Sequence, residues 1–257
     1  MAVLNITPDS FSDGGLHTNP IESGLRFLAE GADILDIGGE STRPGATPVS
    51  PAEEQRRILP VIATLARHGA RISVDTRNAS TMRAALEAGA HIVNDVSGLT
   101  YDPESLSLVA ARQCPVILMH MRGTPQTMMS AATYTDVIGQ VLEELGARIE
   151  RALLGGIAGS RLIIDPGLGF AKDAAQSLAL MQSIPRFAAL GFPVLIGASR
   201  KGFIGALGGE PDPARRGPGS IAAALFAAQN GAAILRVHDV AETAQALKVW
   251  RALTEVQ

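Results

Sequence analysis

The chain has 257 residues, with hydrophobic residues at 46%, aromatics at 4% and a formal net charge of -3. That balance supplies a sizeable core, gives no global field for nucleic acid or an anionic membrane, and leaves too few rings for stacking-based capture of single strands. The lone cysteine, Cys114, excludes an intramolecular disulfide framework and fits a cytoplasmic setting; no apolar stretch reaches the roughly 18 residues of a membrane span, and no basic-then-apolar opening predicts a signal peptide.

Eight short apolar runs are predicted as strands: 2–6, 33–37, 71–74, 91–93, 115–119, 161–164, 193–196 and 232–237. They are continuous rather than alternating, as strands buried on both faces are. A helical stretch follows each. Asn19-Pro20 opens the first, with proline at the first helical position, and Gly31 stops it. Ser50-Pro51-Ala52-Glu53 predicts a capping box at the start of the second, and Pro60 inside it predicts a kink or a split. The remaining helices are expected over 78–88, 103–112, 134–154, 174–190 (with a break at Pro185), 219–230 and 239–253. Gly-Ala pairs at 31–32, 69–70, 89–90 and 231–232 separate a helix from the next strand, where a glycine supplies a left-handed cap. With no linker or low-complexity segment to divide it, this alternation predicts a single-domain (β/α)8 TIM barrel, an α/β fold whose chemistry gathers at the carboxyl ends of the strands. The stretch 220–229 is apolar almost all round, whereas an outer barrel helix should keep a polar face. Small-residue packing would explain it, and a subunit interface, hence a homodimer, is the favoured expectation.

The strand ends carry Asn5, Gly38-Gly39-Glu40, Asp75, Asn94-Asp95, His120, Asp165, Gly197-Ala198-Ser199, and Arg236 with His238. Mixed charge of this kind suits a substrate with one anionic part and one polar neutral part. Arg236 and His238 alternate on one strand, so both should point the same way, and closure of the barrel brings Asn5 beside them. An arginine in a buried strand needs an anionic partner. A carboxylate such as Asp75 or Asp165 at a strand end commonly only caps the next helix, but so many polar residues on one face point to a site. Long loops follow the first and second strands, 4–15 and 38–46, both too rich in Pro, Gly, Asp and Ser for helix. They read as a pair that closes over substrate.

Asn5-x-Thr7-x-Asp9-Ser10-Phe11-x-Asp13 and Asp36-Ile37-Gly38-Gly39-Glu40-Ser41-Thr42-Arg43-Pro44 resemble the two signature segments of the dihydropteroate synthases. Val74-Asp75-Thr76, Asn94-Asp95, Met119-His120, Asp165-Pro166-Gly167-x-Gly169-Phe170, Ser199-Arg200-Lys201, Gly219-Ser220 and Arg236-x-His238 extend the resemblance, in order, to the last strand. The resemblance implies condensation of 6-hydroxymethyl-7,8-dihydropterin pyrophosphate with p-aminobenzoate in folate synthesis. It implies that Asp165 accepts the paired N–H donors of the pterin edge. Asn94 reads the adjoining edge, Lys201 donates to the 4-oxo group, Asp75 faces the dihydro ring, and Met119, Phe170 and Gly197 line the slot. Asn5, Arg236 and His238, with Thr42 and Arg43 alongside, hold the pyrophosphate. Asn5 also helps hold Mg²⁺, which suits phosphate oxygens plus one or two protein oxygens. Phe11 and Pro44 sandwich the p-aminobenzoate ring, while Ser199, Lys201 and the helix N-terminus after them take its carboxylate. Asp75, Lys201, Arg236 and His238 are the expected catalytic set. His120 is expected at the pocket floor, Arg200 in a structural ion pair, and Asp36 and Glu40 as acceptors for loop backbone.

The chain departs from the family pattern in four places. It starts close to the first signature, without the common leading segment, which predicts poorer closure of the barrel bottom. Leu168 and Ala171 stand where Phe and Gly are frequent, predicting altered packing of the pterin pocket, and Gly202 removes a side-chain contact to the p-aminobenzoate carboxylate. Two rivals are a methyltetrahydrofolate–corrinoid type methyltransferase and a non-catalytic pterin-binding barrel. The first leaves Arg236, His238 and both signature loops unexplained, and the second would tolerate loss of Asn5, Arg236 and His238, all of which are present.

Overall fold

The apolar runs form eight short parallel strands, β1 Ala2–Asn5, β2 Leu35–Gly38, β3 Ile72–Asp75, β4 Ile92–Asp95, β5 Val116–Met119, β6 Leu162–Asp165, β7 Val194–Ile196 and β8 Ala232–Leu235. The computed structural model describes residues 1–7, 19–42 and 45–254. The strands pair in sequence order. The ring closes because Val3 N donates to Val237 O at 2.9 Å and Val237 N to Met1 O at 3.0 Å. These backbone bonds close the seam between the first strand and the last. The fold is the predicted (β/α)8 barrel.

Ten helices lie among the described residues: α1 Pro20–Ala29, α2 Pro51–Arg67, α3 Ala79–Glu87, α4 Ser105–Arg112, α5 Val137–Leu154, α6 Ala174–Gln182, α7 Ile184–Ala188, α8 Gly202–Gly208, α9 Gly217–Gln229 and α10 Val240–Thr254. Asn19 caps α1 through its side chain, and Gly31 behind it has φ +105. Ser50 accepts from Glu53 N at 3.3 Å, but the predicted capping box is only half formed, because the Glu53 carboxylate turns instead to Arg56 and Arg57. Pro60 does not split α2. Ile58, Val61, Ile62 and Leu65 around it are buried, and their packing holds the helix through the lost hydrogen bond. The stretch 174–190 does break, at Ser183, two residues before Pro185.

Side chains alternate along each strand, and that period decides what faces where. Leu35, Ile37, Ile72, Val74, Val93, Val116, Leu118, Leu162, Ile164, Val194 and Ile196 pack outward under the helices. Ile92, Ile117 and Leu195 form a separate inner cluster with Ile34, Ile163 and Ile234. This inner layer plugs the barrel below the mouth, as is usual when eight strands close. No described helix is long and apolar enough to cross a membrane.

Candidate active site

Two residues beyond that plug, the same parity carries Asn94, Met119, Asp165, Gly197 and Arg236 to the mouth. Register then sets them side by side: Asn5 pairs with Gly38, Gly38 with Asp75, Asp75 with Asn94, and Met119 with Asp165.

Arg236 is the hub. Its Nε donates to Asp36 Oδ2 at 2.6 Å and its Nη2 to Asp75 Oδ2 at 2.8 Å, while Asn94 Nδ2 donates to the same Asp36 oxygen at 3.0 Å. Burial opposes the guanidinium's charge, but the two carboxylates outweigh it and hold the proton above its ordinary value. Burial pushes Asp75 up to about 7, with Arg236 pulling the other way and Asp36 adding repulsion. A Cβ on Gly197 would lie 3.9 Å from the Arg236 stem, an ordinary contact.

Asp36 corrects the sequence reading. It does not serve loop backbone. It lies a layer below the rim, fully buried, and orients both Arg236 and Asn94. Its Oδ1 has no partner among the described residues. The signal was present in the sequence as an acid inside an apolar run, which demands a cation as much as Arg236 demands an anion. Glu40 does accept a backbone N–H, from Val49 at 3.1 Å, and it also forms a buried ion pair with Arg77 at 3.1 Å.

Ser199 and His238 form a pair at the start of the β7 and β8 loops. His238 N donates to Ser199 Oγ at 3.2 Å, and His238 Nδ1 lies 3.0 Å from the same oxygen. Burial, then Arg236 and Arg200, lower the His238 pKa to about 3, so the ring is neutral. The tautomer sets which of Nδ1 and Ser199 Oγ donates in that bond. Ser199, expected on the p-aminobenzoate carboxylate, is thus engaged in aiming His238.

Across the mouth, Asp165 Oδ1 accepts from Gly167 N at 2.7 Å. Burial raises its pKa, and the Gly167 hydrogen bond and the Lys201 charge oppose the rise. Lys201 Nζ sits 4.2 Å from the centroid of the Phe170 ring, a cation–π contact. Met119 is buried in a cluster with Val96, Met121, Met128 and Ala171. Asn5 and Thr42 are half-buried, and neither side chain makes a hydrogen bond among the described residues. Phe11, Arg43 and Pro44, with Asp9 and Asp13, lie outside the described residues.

Other expectations resolve locally. Arg200 pairs with Asp239, as predicted. Asp95 bonds Ser97 and Leu99 backbone and closes the turn after β4, the helix-side role that strand-end acids often have. His120 is no pocket floor, being fully buried between Glu144 and Lys172. Leu168 packs into the outer core, so its change from the family pattern falls there and not in the pterin pocket. Gly202 begins α8 with open space where its Cβ would be.

The pattern of the pterin binding enzyme family matches residues 1–238. A dihydropteroate synthase from Synechocystis is 46% identical over 257 residues, covering 98% of this chain and 89% of that protein. The structure of Xanthomonas albilineans dihydropteroate synthase with 4-aminobenzoic acid superposes with a TM-score of 0.93 at 50% identity, covering 100% of this chain and 93% of the other. The same enzyme in complex with 7,8-dihydropteroate gives a TM-score of 0.90 at 47% identity, with the same coverage. On the strength of the strand-end residues, the barrel that carries them and these full-length matches, the chain belongs to the dihydropteroate synthases of the pterin binding enzyme family.

Proposed function

We propose that this chain joins 6-hydroxymethyl-7,8-dihydropterin pyrophosphate to p-aminobenzoate, releasing pyrophosphate and 7,8-dihydropteroate for folate synthesis. The observation that carries the reading is the Arg236 bridge. It ties the anion side of the mouth to the carboxylate side within one hydrogen-bonded group. A reaction that expels an anion from a flat heterocycle needs those two sides adjacent.

Asp165 takes the pterin's paired donors, and Asn94, already aimed by Asp36, reads the neighbouring edge. Lys201 donates to the 4-oxo group from its seat over Phe170. The C–O bond at the exocyclic methylene breaks first, in an SN1-like path, because the electron-rich dihydropterin delocalises the positive charge. Asp75 supplies a fixed opposite charge for that cation. Arg236 exchanges part of its hold on the carboxylates for the departing pyrophosphate, and His238 donates to it as a neutral imidazole. No enzyme nucleophile is needed: the arylamine attacks the methylene, and the anilinium so formed gives its proton to the released pyrophosphate or to solvent. Thr42 and Arg43 complete the pyrophosphate end, and Phe11 and Pro44 the p-aminobenzoate end.

Magnesium fits this donor set. No cluster of three or more His, Cys, Asp or Glu lies among the described residues to bind a metal alone, so the ion would be held by Asn5 and mainly by the pyrophosphate. When bound, it neutralises charge developing on the leaving group. The apolar α9, with Phe226 exposed, supports a homodimer, and one buried cysteine supports work in the cytosol.

The test is incubation of the protein with the dihydropterin pyrophosphate, p-aminobenzoate and magnesium. Equimolar dihydropteroate and pyrophosphate are expected. Methyl transfer from methyltetrahydrofolate to a corrinoid, without condensation, would overturn the reading in favour of the rival chemistry.

A further inference from the structure

The turn after β6 is conformationally expensive. Gly167, Gly169 and Ala171 have φ of +71, +73 and +51. Left-handed backbone is uncommon for a residue with a Cβ, so Ala171 persists there only because its surroundings hold it. The next residue, Lys172, turns its side chain inward and is 2% exposed. Its Nζ lies 2.8 Å from Phe170 O, 3.1 Å from Gly167 O and 2.9 Å from His120 Nδ1.

These neighbours are acceptors, and His120 O adds a fourth at 3.4 Å, so every proton of the ammonium has a partner. His120 Nε2 lies 2.9 Å from Glu144 Oε2, so the ring proton sits on Nε2 and Nδ1 is left to accept. Arg122 grips the far side of Glu144. Burial pushes the Lys172 ammonium down to about 7, with the Asp165 charge, and then that of Glu144, opposing the fall.

The two carbonyls that Lys172 holds belong to the residues that shape the pterin slot. Gly167 donates its N–H to Asp165 Oδ1, and Phe170 carries Lys201 on its ring face. We propose that Lys172 is a positioning residue for the pterin slot, pinning the turn after β6 against His120 so that Asp165 and Lys201 face the ligand at a fixed separation. This rests on the reading of Asp165 as the pterin's carboxylate partner.

Lys172→Met keeps the length of the side chain and removes the donors. Amide hydrogen exchange on residues 165–172 is expected to quicken at least tenfold, while the other strand ends keep their protection. The affinity for 6-hydroxymethylpterin, measured by calorimetry without turnover, is expected to fall at least tenfold, and KM for the dihydropterin substrate to rise in step. Lys172→Arg, which keeps the charge and several donors, is expected to recover part of both. Where Lys172→Met does not fold, Lys172→Gln, with one amide donor toward the carbonyls, is read in the same way. Unchanged exchange in the turn, or parental pterin affinity in any folded variant without the ammonium, overturns the proposal. A parental protein that binds no pterin sinks the functional reading instead, and the exchange comparison then decides the brace alone.

Discussion

Arg236 donates from two nitrogens to two carboxylates, and neither Asp36 nor Asp75 has another cation within hydrogen-bonding distance among the described residues. Arg236→Ala therefore strands two buried acids. Breaking a buried pair costs about 3–5 kcal/mol, and the 21% exposure of the Arg236 side chain puts this one near the lower end. Denaturant unfolding should show that loss. kcat/KM for the pyrophosphate substrate should fall as well, by a deficit of roughly 1.5–3 kcal/mol for one lost charged hydrogen bond; unaltered kinetics in the folded variant would reject the anion role. Asp75 adds a pH dependence. Its pKa near 7 leaves part of it protonated at neutral pH, so the rate should drop as pH falls through about 7. Asp75→Asn should lose that limb and lower kcat more than pterin affinity, because the charge counts most as the cation forms. Stability has the opposite sign. A carboxyl whose folded pKa is raised favours the folded state at low pH, and that contribution is lost as pH rises through about 7. Arg236 and Asp75 were legible in the sequence as polar residues closing apolar runs. Asp36 carries the same signal, an acid within an apolar run, but which cation answers it is set only by the fold.

The turn between β6 and α6 shows how an element constrains its residues. A Cβ on Gly167 would meet His120 O at 2.0 Å, in a backbone conformation that L side chains rarely adopt. Neither the carbonyl nor the strand beneath it can retreat. Gly167→Ala should destabilise the protein by more than about 1 kcal/mol and weaken pterin binding, read by thermal unfolding and calorimetry; a variant as stable and as tight-binding as the parent would show that the turn relaxes. Helix ends followed their signals closely, as at Asn19, Ser50 and the break before Pro185. Pro60 did not split its helix because burial of the apolar face on either side outweighs one missing hydrogen bond. Lys172 carried no signal. A lysine in a Gly-rich turn reads as a solvated surface residue, and only the folded chain turns it inward.

At the scale of the molecule, the described outer surface carries an extended apolar feature. A groove of about 400 Å³ runs between α6, α8 and α9, lined by Met181, Phe203, Ile204, Leu207, Ala223 and Phe226. Leu207 and Phe226 are exposed there. If this face joins two copies, Phe226→Glu with Leu207→Glu should shift sedimentation from dimer to monomer while the pterin affinity of each barrel holds; an unchanged sedimentation coefficient would place the contact elsewhere. The strand order, the barrel and the cluster of polar strand ends were all readable beforehand, because a period of two and a row of glycine stops are local properties of the chain. The partners within that cluster were not. Which acid neutralises Arg236, which hydroxyl aims His238 and which ammonium braces the turn after β6 depend on residues up to 200 positions apart. Only closure of the barrel brings such groups within hydrogen-bond distance, because burial leaves each charge to find its partner in space rather than along the sequence.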